Sequence, residues 1–330
     1  MTKDNKTLIV SRSHVEKFID IKTAIQCVEN AFLKHGTHQA RMPAKIYLHL
    51  EEHSGDFRAM PAYLEGGASC VLKWVNVHPG NVKKGLPTVM AVLILSDPKT
   101  GFPLCIMDGT YVTSLRTGAA GAVAAKYLAR KDSKVVSLVG CGEQASTQLK
   151  ALYELFDIKI VKVWGHEPLL AESFIKKMNK FPLEFIPVDT LKNCVKGGDI
   201  IVTTTPSRRP LIKNEWIKKG AHINAIGADA PGKQELEFEV LKNAKVIIDD
   251  WAQASHSGEI NVPIRKGLLA RKDIYAELGQ IIAGKKKGRI NTDEITVFDS
   301  TGLAIQDLVV AELIYKTVLK KGYGRLISIV

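Results

Sequence analysis

A doubly wound, parallel α/β domain inserted in an antiparallel α+β domain is the fold this sequence predicts, on three observations. From Lys134 onward, short β-branched runs alternate with helical patterns, as in a parallel sheet covered on both faces. The first of these runs, in VVSLVGCGEQAS (Val135 to Ser146), breaks on two glycines and opens a helical pattern. The first ~130 residues lack the alternation and carry strand runs joined by tight-turn signals instead.

With 330 residues, 45% apolar and 24% charged, the chain can bury a sizeable core, and its length suggests about two domains. The longest apolar runs, such as Val89 to Leu95, fall far short of the ~20 residues that span a bilayer. The opening MTKDNKTLIV lacks the apolar core of a secretory signal. A cytoplasmic protein with no membrane partner is expected. Five cysteines (Cys27, Cys70, Cys105, Cys141, Cys194) without a C-x-x-C pair read as reduced thiols, not as a disulfide framework or a zinc site. The 46 basic residues against 34 acidic ones leave a net charge of +12. They are dispersed, with no aromatic-interleaved basic motif, so no nucleic-acid partner is expected. The positive field suits small anionic substrates and cofactor phosphates.

In the N-terminal part, a helical pattern over Ser13 to Lys34 precedes strands expected around Ala44 to Leu50, Ser69 to Asn76, Thr88 to Ser96 and Pro103 to Met107. The turn signals between the later strands are HPGN, SDPKTG and MDGT. The second part carries six strand runs: KVVSLVG, KIVKVWG, LEFIPVD, DIIVTTTP, AHINAIGAD and KVIIDDW. Six strands match a dinucleotide-binding sheet, whose ligands lie at the carboxyl ends of the strands. After the first run, Ala145, Leu149, Leu152 and Phe156 recur at three- and four-residue steps and define one helix face. EITVFDSTG and the helical pattern from Leu303 to Lys321 either extend that sheet or return to the first domain. The return is expected, giving a discontinuous domain of 1–127 plus 303–330 around 128–302.

In the glycine turn, Gly140 permits the tight bend and Gly142 lets the backbone approach a pyrophosphate. The helix starting near Glu143 and Gln144 offers free N–H groups and a partial positive charge. Ala145 at the third position is acceptable, because that position only has to allow close helix–strand packing. Alone, GxGxxA also reads as a glycine turn with no ligand. Its place between strand and helix, heading a series of such units, makes it a Rossmann cofactor site. The acid expected about 20 residues on is missing, since the second strand ends Val163-Trp164-Gly165-His166-Glu167. NAD is expected and NADP stays open: Glu167 can reach the ribose, whereas Gly165 leaves room for a 2′-phosphate that His166 can hydrogen-bond. Thr203, Thr204 and Thr205 end the fourth strand, Ile226, Gly227 and Ala228 the fifth, and both sets are expected to line the cofactor cleft.

Arg58 in DFRAMPAYL and Lys73 in VLKWVNVHPGN sit in apolar segments, where a charge needs a partner unless its side chain reaches the surface. An amino- or oxo-acid carboxylate is such a partner, which Arg can hold with two parallel hydrogen bonds. Lys73 suits a general base or acid if desolvation and a cationic neighbour lower its pKa. Arg116 is placed in the first turn of a helix capped by Thr113 or Ser114, where a cation opposes the helix dipole and calls for an anion such as a cofactor phosphate. Asp229 follows INAIGA before a Pro-Gly turn, as a reacting group or as a turn former.

The set MPAKIYL, FRAMPAYL, LKWVNVHPGN, GLPTVMAVLIL, DGTYVTSLRTGAAGAVAAKYLA, GCGEQA, TTTPS, INAIGADAPGKQEL and FDSTGLAIQD resembles the ornithine cyclodeaminase/mu-crystallin family over essentially the whole chain. Within it, RAMPA and LKWVN are arranged as in archaeal-type alanine dehydrogenases. The resemblance implies a homodimer whose N- and C-terminal segments form a substrate and dimerisation domain around a central Rossmann domain. It implies that Lys73 carries the catalytic proton, that Arg58 helps bind the substrate carboxylate and that Asp229 is a second acid/base group. Arg116, Gln144 and Thr88 would contact the cofactor, with Lys233 and Ser300 near its nicotinamide end.

The expected activity is an NAD(P)-dependent amino-acid dehydrogenase acting on alanine. Ornithine cyclodeaminases of this family carry an acid around the segment that here reads Arg58-Ala59-Met60-Pro61, with Asp56 and Glu65 the nearest acids, so a small apolar side chain is favoured. Ornithine cyclodeamination, ketimine reduction, which needs the same carboxylate anchor, and cofactor binding without turnover are the alternatives.

Overall fold

The computed structural model describes residues 5–330. The chain divides into two compact units, one running to Arg116 and resuming at Leu303–Val330, the other Thr117–Gly302.

The first unit is built on a mixed sheet with strands β1 (Thr7–Val10), β2 (Ala40–Arg41), β3 (Ile46–Leu50), β4 (Gly55–Leu64), β5 (Cys70–Val77), β6 (Val89–Ser96) and β7 (Pro103–Asp108). From β4 to β7 it is an antiparallel meander, β2 and β3 pair antiparallel with β4, and β1 pairs parallel with β7. The expected first helix is two, α1 (Arg12–Phe18) and α2 (Ile21–Gly36), because Asp20 caps the second by accepting from the Thr23 N–H at 2.7 Å.

The longest strand of this sheet, β4, was not among the expected ones. GDFRAMPAYL contains Gly, Asp and Pro, which strands disfavour. Pro61 is tolerated because β3 ends its pairing at Ala59 and β2 begins at Tyr63, so the proline falls in the gap between them. Alternation along β4 and β5 turns Arg58, Met60, Ala62, Val71, Lys73 and Val75 to the buried face. Leu72, Trp74 (41% exposed) and Val92 lie on the other.

In the second unit, β8 (Val135–Val139), β9 (Ile160–Trp164), β10 (Glu184–Pro187), β11 (Ile200–Thr203), β12 (His222–Ala225), β13 (Lys245–Ile248), β14 (Ala276–Glu277) and β15 (Thr296–Asp299) form one parallel sheet. Its order is β10-β9-β8-β11-β12-β15-β13-β14, so the winding reverses between β8 and β11, where a doubly wound sheet binds its ligand. Two strands join the six expected. One of them, β15, shows that EITVFDSTG does extend the sheet, entering between β12 and β13, and the return to the first unit starts only at Leu303.

The helices are α3 (Thr110–Leu128), α4 (Glu143–Tyr153), α5 (Pro168–Met178) and the short α6 (Leu191–Val195), α7 (Phe238–Asn243), α8 (Trp251–Ser257), α9 (Asn261–Arg265) and α10 (Leu278–Ile282). The apolar face expected after the glycine turn is buried, with Ala145, Leu149, Leu152 and Phe156 in one cluster with Val136, Leu138, Val161 and Val163. The unit boundary falls at Arg116/Thr117 inside α3, not at 127. From Thr117 on, α3 is held by the second unit: Gln148 Nε2 donates to Thr117 O at 2.8 Å and Asn224 Nδ2 to Gly121 O at 3.0 Å.

The chain closes with α11 (Ala304–Lys320), packed on α2 and across β4, β5 and β6, and with β16 (Arg325–Ile327), antiparallel to β1. Among the described residues, no helix is long and apolar enough to cross a membrane.

Candidate functional site

On the first unit, strand alternation points Lys73 inward from β5, and its charge meets α11. Lys73 Nζ donates to Asp307 Oδ2 at 2.6 Å, and Arg116 Nε donates to Asp307 Oδ1 at 3.1 Å. One carboxylate thus lies between two cations, with Lys73 1% and Asp307 0% exposed. Burial disfavours the charged ammonium, and the Arg116 guanidinium adds to it. Asp307 opposes both, Lys45 adds a smaller push, and the Lys73 pKa falls from 10.5 to about 7.

Arg116 Nη1 donates to Gln306 Oε1 at 3.0 Å. A guanidinium only donates, so the amide must turn its oxygen to Arg116 and its nitrogen away. That nitrogen, Gln306 Nε2, is buried and has no partner among the described residues. The cluster therefore holds a spare donor.

The cap of α3 is Asp108, whose carboxylate accepts from Thr110 N at 3.2 Å and Tyr111 N at 2.9 Å. Thr113 and Ser114 lie inside the helix and Arg116 is past its first turn, so the expected cap and the dipole argument are corrected. The anion that faces Arg116 is Asp307. Arg58 gives Nε and Nη2 to Asp56 at 2.7 and 3.2 Å and lies over the Tyr47 ring at 5.2 Å, so the carboxylate in its fork is Asp56. Thr88 is half-buried ahead of β6, its carbonyl accepting from His78 N at 2.8 Å.

Asp307, Gln306 and Lys45 were not singled out from the sequence. Asp307 carried the signal used for Lys73, a charge amid Ala304, Ile305, Leu308, Val310 and Ala311, all buried here.

On the second unit, the turn after β8 holds Gly140 at φ 102°, where a side chain is strained, and a Cβ there would lie 2.8 Å from Thr204 Oγ1. A Cβ on Gly142 would meet no atom within 4 Å. Gly142 is the N-cap of α4 and offers no side chain to its first N–H groups. The free helix start and the open space above Gly142 fit a pyrophosphate. Gln144 is half-buried in the first turn, while Glu143 is turned to Lys177 at 2.9 Å.

Gly165 has a reason other than room for a phosphate. A Cβ there would lie 2.9 Å from Cys141 Sγ and 3.1 Å from the Glu167 carbonyl oxygen, so a side chain at 165 would have to displace the Cys141 thiol. His166 and Glu167 stand on the surface, His166 Nε2 3.6 Å from Glu167 Oε1.

At the ends of β11 and β12, Thr203 and Gly227 are both tied to Glu235, between buried Ile226 and Ala228. Asp229, partly exposed, accepts from Lys233 Nζ at 2.6 Å. Ser300 is 2% exposed, and its Oγ has no partner among the described residues.

A parallel doubly wound sheet with this glycine turn at its switch point makes the second unit a Rossmann-type dinucleotide-binding domain. The chain belongs to the ornithine cyclodeaminase/mu-crystallin family, whose model matches residues 5–322. The alanine dehydrogenase of Archaeoglobus fulgidus is 52% identical to it over 321 residues, 97% of each chain. A solved archaeal alanine dehydrogenase dimer with bound NAD matches with a TM-score of 0.94 at 50% identity, covering 98% of this chain and 100% of that one. The Δ1-pyrroline-2-carboxylate reductase of Thermococcus litoralis, in complex with NADH and L-proline, matches with a TM-score of 0.94 at 41% identity, covering 97% and 99%.

Proposed function

We propose that this chain is an NAD-dependent L-alanine dehydrogenase, interconverting L-alanine and water with pyruvate and ammonium. The observation that carries the reading is Lys73, a buried amine on Asp307 with a pKa of about 7. The similarity to the Archaeoglobus fulgidus enzyme supports the substrate, and the relatives with NAD and NADH support the cofactor.

Gly140, Gly142, the start of α4 with Gln144, the Thr203–Thr204 and Ile226–Ala228 segments and Ser300 would hold the dinucleotide. Its chemistry there is the two-electron oxidation of the substrate α-carbon. The protein's own part is to bind an acid and move protons. Gln306 Nε2, beside the Arg116 guanidinium, is a donor without an acceptor among the described residues and suits an anionic group of the ligands. Near neutral pH, Lys73 exchanges a proton readily, taking one from the substrate ammonium or the attacking water and returning it in the reverse direction. Asp307 orients Nζ throughout. Asp229, held by Lys233, is assigned the second proton.

A cyclodeaminase needs an acid for the distal amine. Of the two nearest candidates, Asp56 is engaged by Arg58 and Glu65 by Arg41 at 3.2 Å, which supports a small side chain. The proposal includes a homodimer, which the exposed Leu72, Trp74 and Val92 face would suit, and a cytoplasmic location, which five free cysteines suit.

The test follows reduced nicotinamide absorbance with L-alanine and NAD or NADP, beside assays of proline formation from L-ornithine and of Δ1-pyrroline-2-carboxylate reduction. NADH production with alanine is expected. Proline from ornithine at catalytic cofactor would overturn the reading in favour of a cyclodeaminase, and turnover of the cyclic imine alone in favour of a reductase. Gly140→Ala is expected to raise the NADH dissociation constant about tenfold or more, measured by fluorescence titration, since its φ and Thr204 leave no place for a methyl group.

A further inference from the structure

We propose that Glu235 is a positioning residue for cofactor binding: its carboxylate sets the spacing of the two loops that leave β11 and β12. This rests on the reading of the second unit as an NAD site.

Glu235 lies in the turn-rich segment after β12 and is 0% exposed. Its Oε2 accepts from Thr203 Oγ1 at 2.6 Å and from Gly227 N at 2.9 Å. Its Oε1 accepts from Thr205 N at 2.6 Å and from Thr205 Oγ1 at 2.7 Å. Four donors from two loops thus fill the four lone-pair positions of one carboxylate. The ladder between β11 and β12 ends at Thr203 and Ala225; just beyond it Ile226 N donates to Thr203 O at 3.0 Å, and farther out this carboxylate, with Gln234 N on Ser207 O at 3.0 Å, joins the two loops.

The bridge is fixed from behind. Glu235 N donates to Glu259 Oε1 at 2.9 Å and Leu236 N to the same oxygen at 2.7 Å. Leu211 N and Ile212 N donate to Glu235 O at 2.7 and 3.0 Å. Burial raises the pKa of Glu235, and the four donors work against that rise. Farther along the segment, Asn261 holds Gly232 N and Lys233 O at 2.9 Å each, so the loop bearing Asp229 has separate ties.

Glutamine cannot replace this acid. An amide has one oxygen, and its NH2 would face either Gly227 N or Thr205 N, backbone donors that cannot turn around, whereas threonine hydroxyls can. One half-buried backbone N–H then loses its acceptor, which opens the spacing between the loops.

The test compares wild type, Glu235→Gln, Thr205→Val and the double variant by NADH fluorescence titration, thermal unfolding without cofactor, and steady-state kinetics. Glu235→Gln is expected to raise the NADH dissociation constant and the KM for NAD about tenfold or more. The kcat at saturating NAD should fall less than about threefold, because the Asp229 loop keeps its own ties. Thr205→Val, which keeps the acid, should weaken NADH binding about threefold in the wild type and add nothing to Glu235→Gln. Should Glu235→Gln fail to fold, Thr205→Val and Thr203→Val carry the test. Unchanged NADH affinity in the folded variants, with or without lower thermal stability, overturns this inference and leaves the proposed function standing. A wild type that binds neither NADH nor NADPH sinks both.

Discussion

Lys73→Ala is expected to lower the kcat for L-alanine oxidation by about 10³-fold, the middle of the range for losing a general acid–base group. The NADH dissociation constant stays near the wild-type value. In the wild type, kcat/KM is expected to rise with pH through an apparent pKa of about 7, because Lys73 as proposed accepts a proton only when its amine is neutral. Lys73→Arg is equally inactive, since a guanidinium does not give up its proton in this range. A Lys73→Ala enzyme that kept a tenth of its activity would place the proton carrier elsewhere. The same shift sets a stability slope. Between about 7 and 10.5 the unfolded chain holds a proton on Lys73 that the folded chain does not, so this group's contribution makes the protein more stable as pH rises through that window. Thermal scans of wild type against Lys73→Met isolate it: the difference should move in favour of wild type from pH 7 upward.

Asp307→Asn removes the one carboxylate between two cations. Breaking a buried ion pair from one side costs about 3–5 kcal/mol, because the charge left behind has no compensation. A fall in Tm of about 10 °C is expected by calorimetry. The Lys73 pKa loses both influences that hold it up, so the apparent pKa in kcat/KM moves below 7. Removing a cation as well, in Asp307→Asn/Arg116→Met, should restore part of the Tm. An unchanged Tm in the single variant would mean that the cluster contributes nothing to holding α11 on the sheet.

The residues legible in the sequence are those whose burial follows a period. Ala145, Leu149, Leu152 and Phe156 announced α4 because a helix buries every third or fourth residue, and the glycine turn was readable because Gly140 needs a backbone shape few residues adopt. Lys73 stood out as a charge in an apolar run. Where the pattern failed, tertiary context had replaced local preference. The strand carrying Arg58 contains a proline that only a gap between neighbouring strands excuses. The cap of α3 lies in MDGT, which reads as a turn, and is both. Glu235 has no periodic neighbours, and it is buried because two loops and Glu259 close around it. Gly165 shows the limit of a lone glycine as a signal, since close packing against Cys141 calls for a small residue there as well as a ligand would.

Lys73 and Asp307 lie 234 positions apart, so the helix that supplies the acid is made long after the sheet that carries the lysine. On the ribosome, the stretch Thr117–Gly302 has all its strands once it emerges and can fold as a unit. The N-terminal sheet, made first, must wait with its inner face uncovered until Ala304–Lys320 arrives. During that wait Lys73 is an ordinary solvated lysine, charged and without special reactivity. The buried, paired state of this amine therefore comes into being only once Ala304–Lys320 has been made and docked.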